Sequence, residues 1–443
     1  MASFNNNNNN NRKKQSRPPG GIRARLGKPF AQRGNDDSNS VQQRSLDTIY
    51  KQALSSGKLN MSNRNMTNAP LQEFLDVASS GIEGVNFWEV IDLKHIDLSH
   101  NNIEHIIPEG VLSNFRSLET LNVQNNLFTM QSFPFDSLLS LECLRSLNVS
   151  NTRLQGPLPP SLGYCVNLVE IIASQNQITN IDCISSMTEL LILNFSNNLI
   201  VTIGNLPKKL MRVDLSNNKL NEMSGSFSTL IHLENLDLSN NKISTINCSL
   251  KEIRPLRTLN LRRNQLTEIP ILPSNGVLDT ILFGSNQLKE LNSRCISGSV
   301  NTLNILDLSG NKLRGLPHDL GMLGNLKTLD LTNNDLTGLP SSIGWIRSLD
   351  RLLLDGNAIR SIRRNILASG AEGIKKYLRS RGPKHESLRM ELAQVDDNEV
   401  VDVNRQRQRL GERKITLNPL IVCLTRRERE REMFVCVCGG VIF

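Results

Sequence analysis

Leu326-Lys327-Thr328-Leu329-Asp330-Leu331-Thr332-Asn333-Asn334-Asp335-Leu336 decides the fold of this chain. The alternation Leu329-Asp330-Leu331 is a short strand that turns one face to a core and the other to solvent. Asn334 stands where the chain leaves that strand, and a carboxamide turned inward there can satisfy backbone groups that would otherwise be buried without partners. The same spacing, L-x-x-L-x-L-x-x-N-x-L, begins at Leu93, Leu118, Leu144, Leu168, Leu190, Leu210, Leu233, Leu256, Leu278, Leu303, Leu326 and Leu349. Its ninth position holds Asn101, Asn126, Asn176, Asn198, Asn218, Asn241, Asn264, Asn286, Asn311, Asn334 and Asn357, with only Thr152 out of line.

Twelve repeats spaced by 20 to 26 residues are the signature of a leucine-rich repeat solenoid. The expected fold is an α/β solenoid, a leucine-rich repeat horseshoe with a parallel concave sheet and short helical, 3-10 or irregular convex segments. The asparagines stack into a ladder, and where Thr152 interrupts it one hydrogen-bonding arm is lost. A local irregularity is therefore expected beside Gly156-Pro157-Leu158-Pro159-Pro160. Composition agrees, because 38% of the residues are hydrophobic and only 4% aromatic, so the core is aliphatic.

A bare terminal repeat would expose its apolar face, so both ends need caps. Ser45 reads as the N-cap of a helix in which Leu46, Ile49, Ala53 and Leu54 share a face, ended by Gly57. It leads into a degenerate repeat, Leu59 to Met66, with Arg64 in the asparagine position. At the other end Ile362, Ile366, Leu367, Ile374, Tyr377 and Leu378 read as helical caps broken near Gly370 and Gly373. The expected organisation is a disordered basic tail at 1–43, a capping helix and degenerate repeat at 44–92, repeats over 93–361, a capping helix at 362–383 and a disordered tail at 384–443.

Ala53-Leu54-Ser55-Ser56-Gly57-Lys58-Leu59-Asn60-Met61-Ser62-Asn63-Arg64, Ile362-Arg363-Arg364-Asn365-Ile366 and Lys376-Tyr377-Leu378-Arg379-Ser380-Arg381 resemble the leucine-rich repeat-containing protein 40 family over about residues 44 to 383. The resemblance implies an intracellular interaction protein. Members of that family continue with further repeats beyond such a basic helix, and this chain does not. Its last segment alternates Arg with Glu over 426–432 and Val with Cys over 435–438, as dinucleotide repeats would encode, so translated non-coding sequence is the expectation for this tail.

The formal charge of +9 sits in the flanks and leaves the repeats mildly acidic. Arg12, Lys13, Lys14, Arg17, Arg23, Arg25, Lys28 and Arg33 crowd the asparagine-rich start, where a solvated tail, an import signal or a weak nucleic-acid contact are the readings. The eight cysteines fall at irregular positions with no paired clusters flanking the repeats, which points to a reducing compartment, cytoplasmic and by extension nuclear. No run of about 18 apolar residues offers a membrane span. His95, His100 and His105 do not converge across a strand and its turn, and no phosphate-cradling loop or nucleophile and base pair is present. No cofactor, metal or catalysis is expected.

The outward residue between the strand apolars reads Asp97, Asn122, Asn148, Ile172, Asn194, Asp214, Asp237, Asn260, Leu282, Asp307, Asp330 and Leu353. Its acids and amides are ordinary for this repeat, so the departures carry the information. Exposed Ile172, Leu282 and Leu353, with Ile192 and Ile305, are candidate protein contacts, and Arg212, Arg262, Arg263 and Arg351 are candidates for pairing with an acidic partner. The expectation is a monomeric, non-catalytic intracellular scaffold or adaptor that holds another protein, by fold analogy in signal transduction. Two rivals stay open: a receptor-like or defence-type recognition protein, prompted by Leu154 to Gly163, and a nuclear or RNA-associated protein acting through the basic tail.

Overall fold

The computed structural model describes residues 36–80, 92–273, 276–292 and 302–382. Of the expected tails at 1–43 and 384–443, residues 1–35 and 384–443 lie outside them, while residues 36–43 belong to a helix and not to a disordered tail. Each repeat contributes a strand of three residues to one 13-stranded sheet, every neighbouring pair parallel and in register. A strand so short is stable only because its central leucine, isoleucine or valine is buried in the repeat stack while its two flanking residues look outward.

In chain order the strands are β1 (Lys58–Asn60), β2 (His95–Asp97), β3 (Thr120–Asn122), β4 (Ser146–Asn148), β5 (Gln155–Pro157) and β6 (Glu170–Ile172). Then come β7 (Gln177–Asn180), β8 (Ile192–Asn194), β9 (Arg212–Asp214), β10 (Glu222–Met223), β11 (Asn235–Asp237) and β12 (Thr245–Ile246). The last are β13 (Thr258–Asn260), β14 (Thr280–Leu282), β15 (Ile305–Asp307), β16 (Thr328–Asp330) and β17 (Arg351–Leu353). Two small ladders, β5 with β7 and β10 with β12, lie outside the main sheet. The convex side carries 3-10 turns such as His318–Met322 and Ser341–Trp345, as the Leu-Pro segments suggest.

All eleven asparagines make the same bonds, joining each repeat to the one before it. Asn241 Nδ2 donates to Leu238 O within its own repeat at 3.0 Å and to Leu215 O of the preceding one at 3.0 Å, and its Oδ1 accepts Leu220 N–H at 3.0 Å. At the gap, Thr152 Oγ1 reaches Val149 O at 3.0 Å and Asn176 Oδ1 at 2.8 Å. It makes the bond within its own repeat and has no second donor for the repeat before. The ladder of β5 with β7 shifts register between Gly156 and Pro157, so the irregularity falls in the turn where it was expected.

One regularity was not read from the sequence. The residue just before the ladder asparagine has a left-handed backbone in every repeat: His100, Asn125, Asn151, Gln175, Asn197, Asn217, Asn240, Arg263, Ser285, Gly310, Asn333 and Gly356. Asparagine and glycine tolerate this conformation, and Gln175 and Arg263 hold it only because the ladder bonds on either side dictate it.

Two caps differ from the sequence reading. Helix α1 runs Asp36–Ser56, so Ser45 lies inside it and not at its cap. The residues before Ser45, Gln42, Gln43 and Arg44 among them, are good helix formers and let the helix continue. Helix α2, Leu71–Ser80, was missed although Leu71, Phe74, Leu75 and Ala78 recur at helical spacing. It packs Phe74 edge-on against Tyr50 of α1 at 5.6 Å and against Phe115 at 6.2 Å, carrying the core beyond the first repeat. The far end is closed by α3 (Arg364–Leu367) and α4 (Gly370–Arg379). The break falls at Ser369–Gly370 alone, where Gly370 has φ +76°; Gly373 lies within α4, and a Cβ there would collide with Ser369.

Candidate interaction surface

The outward Asp and Asn column is first of all structural. Asp97, Asn122, Asn148, Asn194, Asp214, Asp237, Asn260, Asp307 and Asp330 each accept, on a side-chain oxygen, the backbone N–H two residues on. This is an Asx turn, and it bends the chain out of the strand toward the ladder asparagine. Ile172, Leu282 and Leu353 forgo that bond. Each gives up a local stabilisation and sets an apolar side chain on the concave sheet.

Leu353 and Ile305 are exposed, at 41% and 36%. Ile172, Ile192 and Leu282 are only half-buried, which corrects the sequence reading of Ile172 and Leu282 as exposed, because flanking strands 4.7–4.9 Å away shield a residue in mid-sheet. Three of the nine candidates come together. Ile192, Arg212 and Leu282 line a groove of about 450 Å³ whose floor includes Asn194, Asp214, Asn235, Asp237, Thr258 and Asn260. It spans β8 to β14, four strand spacings or about 19 Å. Asn235 and Thr258 were not singled out in the sequence, though both are outward strand residues and that position alone marks them. Ile172 lies beside the groove on β6, diagonal to Ile192, whereas Ile305, Arg351 and Leu353 lie beyond it toward the C-terminal cap.

Two of the arginines are already spoken for. Arg262 forms an ion pair with Asp307, whose side chain is almost wholly buried beneath it. The bridge crosses an intervening repeat and is possible because that repeat carries Gly284, where a Cβ would stand 2.6 Å from the Asp307 carboxylate. Arg263 donates to Asn240 Oδ1 at 3.3 Å and belongs to the left-handed column. Both remain exposed, and each already has a partner within the chain. Arg212 and Arg351 are exposed and make no ion pair among the described residues.

The three histidines are tied to different neighbours: His95 to Thr120 at 2.8 Å, His100 to Asn125, and His105 to Asn68 through a backbone bridge. Among the described residues no cluster of three or more His, Cys, Asp or Glu side chains could hold a metal, and no helix is long and apolar enough to cross a membrane. Cys143, Cys165, Cys183 and Cys248 are free thiols. Burial pushes Cys165 and Cys183 up to about 11 and Cys248 up to about 12. At pH 8 a thiol titrating near 11 is thiolate to only about one part in a thousand, and the thiolate is the nucleophile. Iodoacetamide should therefore label exposed Cys143 much faster than these three in the native protein and all four alike in denaturant. Peptide mapping checks this; equal native rates would contradict the packing of the convex turns.

Leucine rich repeat family profiles match residues 208–266 and 301–359, and also 92–114 and 143–165. Similar curated proteins include mouse podocan, 32% identical over 171 residues, covering 32% of this chain and 28% of podocan. Human oligodendrocyte-myelin glycoprotein is 32% identical over 166 residues, covering 32% of this chain and 36% of that protein. Receptor-like protein 15 of Arabidopsis thaliana is 38% identical over 93 residues, covering 16% of this chain and 10% of its own length. The matches thus span about a third or less of these relatives. Among solved structures, an internalin from Listeria monocytogenes superposes with a TM-score of 0.58 at 19% identity, covering 73% of this chain and 92% of that one. A chain of the octameric complex of Latrophilin 3, Unc5D and FLRT2 does so with a TM-score of 0.53 at 22% identity, covering 70% and 97%. At these identities the superpositions speak for the fold. With the matching repeat profiles, the 13-stranded parallel sheet and the asparagine ladder, they give this chain the fold of a leucine-rich repeat solenoid.

Proposed function

We propose that the protein is an intracellular, non-catalytic adaptor of the leucine-rich repeat-containing protein 40 type, acting in signal transduction as a monomer, and that it holds its protein partner in the concave groove between β8 and β14. The observation that carries this reading is the groove itself, about 19 Å across, where Ile192 and Leu282 frame a floor that mixes apolar surface with Asn, Asp and Thr side chains. Apolar anchors around hydrogen-bonding groups are the usual make-up of a protein contact with a few dominant residues. The scattered free cysteines and the two basic cap segments support the intracellular part.

Affinity capture with the full chain, beside a variant carrying Ile192→Glu and Leu282→Glu, tests the site. Two lost anchors at about 2 kcal/mol each predict capture reduced by more than about tenfold, with melting near that of the parent because both side chains are half-exposed. Capture unchanged in the variant would move the binding surface elsewhere. The receptor-like reading has its own motif in Leu154 to Gly163, and the exposed Asn65 in Asn65-Met66-Thr67 discriminates the two. A secreted chain carries an N-glycan at such a site, so no mobility shift on glycosidase treatment is the outcome expected for the adaptor.

A further inference from the structure

Beyond their turn-forming role, two carboxylates of the groove face each other without a cation between them. Asp214 and Asp237 stand opposite each other in register on β9 and β11, one strand spacing apart. Like charges directly opposite on neighbouring strands oppose sheet formation, and neither carboxylate has an ion-pair partner among the described residues. Asp237 is relieved in part by Asn260 Nδ2, at 2.8 Å from Oδ2. Asp214 spends Oδ1 on Ser216, and its Oδ2 makes no hydrogen bond among the described residues. Glu170 on β6 and Asp330 on β16 extend the same sign along the concave sheet. Arg212 is the cation that lines the groove, since Arg262 is locked onto Asp307.

The complementary charge is carried by the chain itself. Residues 1–35 hold Arg12, Lys13, Lys14, Arg17, Arg23, Arg25, Lys28 and Arg33 and no carboxylate side chain. Their C-terminal end is fixed at the start of α1, the helix that caps the sheet at β1. From β1 to β9 is six strand spacings, about 29 Å, and the 21 residues of α1 add at most about 32 Å. The 19 residues from Asp36 back to Arg17 span up to about 65 Å when extended, so Arg12, Lys13, Lys14 and Arg17 reach the groove, and the cations nearer α1 lie along the path to it.

We propose that the basic start of the N-terminal arm, residues 12–17, docks in cis on the acidic concave groove between β8 and β14 and competes there with the partner. The proposal rests on the groove being the working surface. The arm supplies the cations that Asp214 and Asp237 lack, and a partner must displace it, so affinity rises when the arm is removed or modified.

Zero-length carbodiimide coupling of the full chain, with no partner present, tests this by joining lysine amines to carboxylates in direct contact. At about 20 mM salt, peptides linking Lys13 or Lys14 to Asp214, Asp237 or Glu170 are expected to dominate. Their yield should fall about tenfold at 0.5 M salt, where the Debye length is only about 4 Å. Arm lysines spread evenly over remote exposed carboxylates such as Glu268 and Glu290 would overturn the docking. A mixture of light and heavy isotope-labelled chains decides the connectivity. Links within one isotope support docking in cis, and mixed links assign the arm to a second copy and overturn it. Because no partner is used, failure here leaves the capture experiment standing, and failure of capture leaves the cross-links to be explained.

Discussion

Replacing Asn241 by alanine is expected to destabilise the solenoid by about 3–5 kcal/mol, among the largest effects of any single substitution in the repeats. Its carboxamide is 8% exposed and ties Leu215 O, Leu238 O and Leu220 N–H, all buried in the seam between two repeats. Removing it leaves those groups without partners in a place water does not easily reach, at about 1–3 kcal/mol each before relaxation. In a solenoid each repeat touches only its neighbours, so the loss is concentrated at one interface. Chemical denaturation should show a lower midpoint, and hydrogen exchange should show the amides of β9 and β11 opening together ahead of β2 and β16. Thr152→Asn runs the experiment backwards. It restores a donor toward Val123 O and an acceptor for Phe128 N–H, with an expected gain of about 1 kcal/mol. A neutral Asn241→Ala would mean that the ladder is decoration on a fold held by leucine alone.

That contrast shows how much of the molecule was legible in its residues. The inward positions were, because a buried aliphatic at a fixed spacing has one explanation, and so was the asparagine, because its bonding demands are as periodic as the strand. The left-handed column was visible only where asparagine or glycine occupies it, as at Asn125, Asn197 and Gly310. At Gln175 and Arg263 the backbone is set by neighbouring repeats and leaves no mark on the residue itself. Helix α2 carried an ordinary helical pattern that the irregular spacing of the N-terminal cap obscured. The candidate surface was half legible. Departures from Asp and Asn marked Ile172, Leu282 and Leu353, but whether such a side chain is open depends on its strand neighbours, and spacing along one repeat does not report them. The same is true of Arg262. Its partner Asp307 is 45 residues away, and the contact depends on an absent side chain at Gly284.

Lys375→Met is expected to loosen the C-terminal cap, at a cost of about 2–4 kcal/mol. The ammonium of Lys375 is buried beneath α4, 3% exposed, where it donates to Leu349 O at 2.8 Å and lies 3.4 and 3.5 Å from Arg347 O and Ile346 O. These carbonyls end the last convex turn, and no further repeat among the described residues supplies their donors. Lysine does what the next repeat's backbone would do, with Glu372 at 2.9 Å balancing its charge from the solvent side. Methionine fills the volume of the aliphatic stem and stops one atom short, at the ammonium itself, so the variant removes the donors with little loss of packing. Gly344→Ala attacks the same joint from the other side, because a Cβ there meets Arg379 N and Lys375 O at 2.9 Å, both backbone atoms of α4 that cannot step aside without the helix moving. Both variants should raise hydrogen exchange over residues 370–379 and promote aggregation through Ile343, Ile346 and Leu378, all buried in the intact cap, while leaving the exchange of β8 to β11 unchanged. Deleting residues 362–381 should do the same more severely. If Lys375→Met melts within about a degree of the parent and the 370–379 amides keep their protection, the cap is held by its apolar face alone and the buried ammonium is incidental.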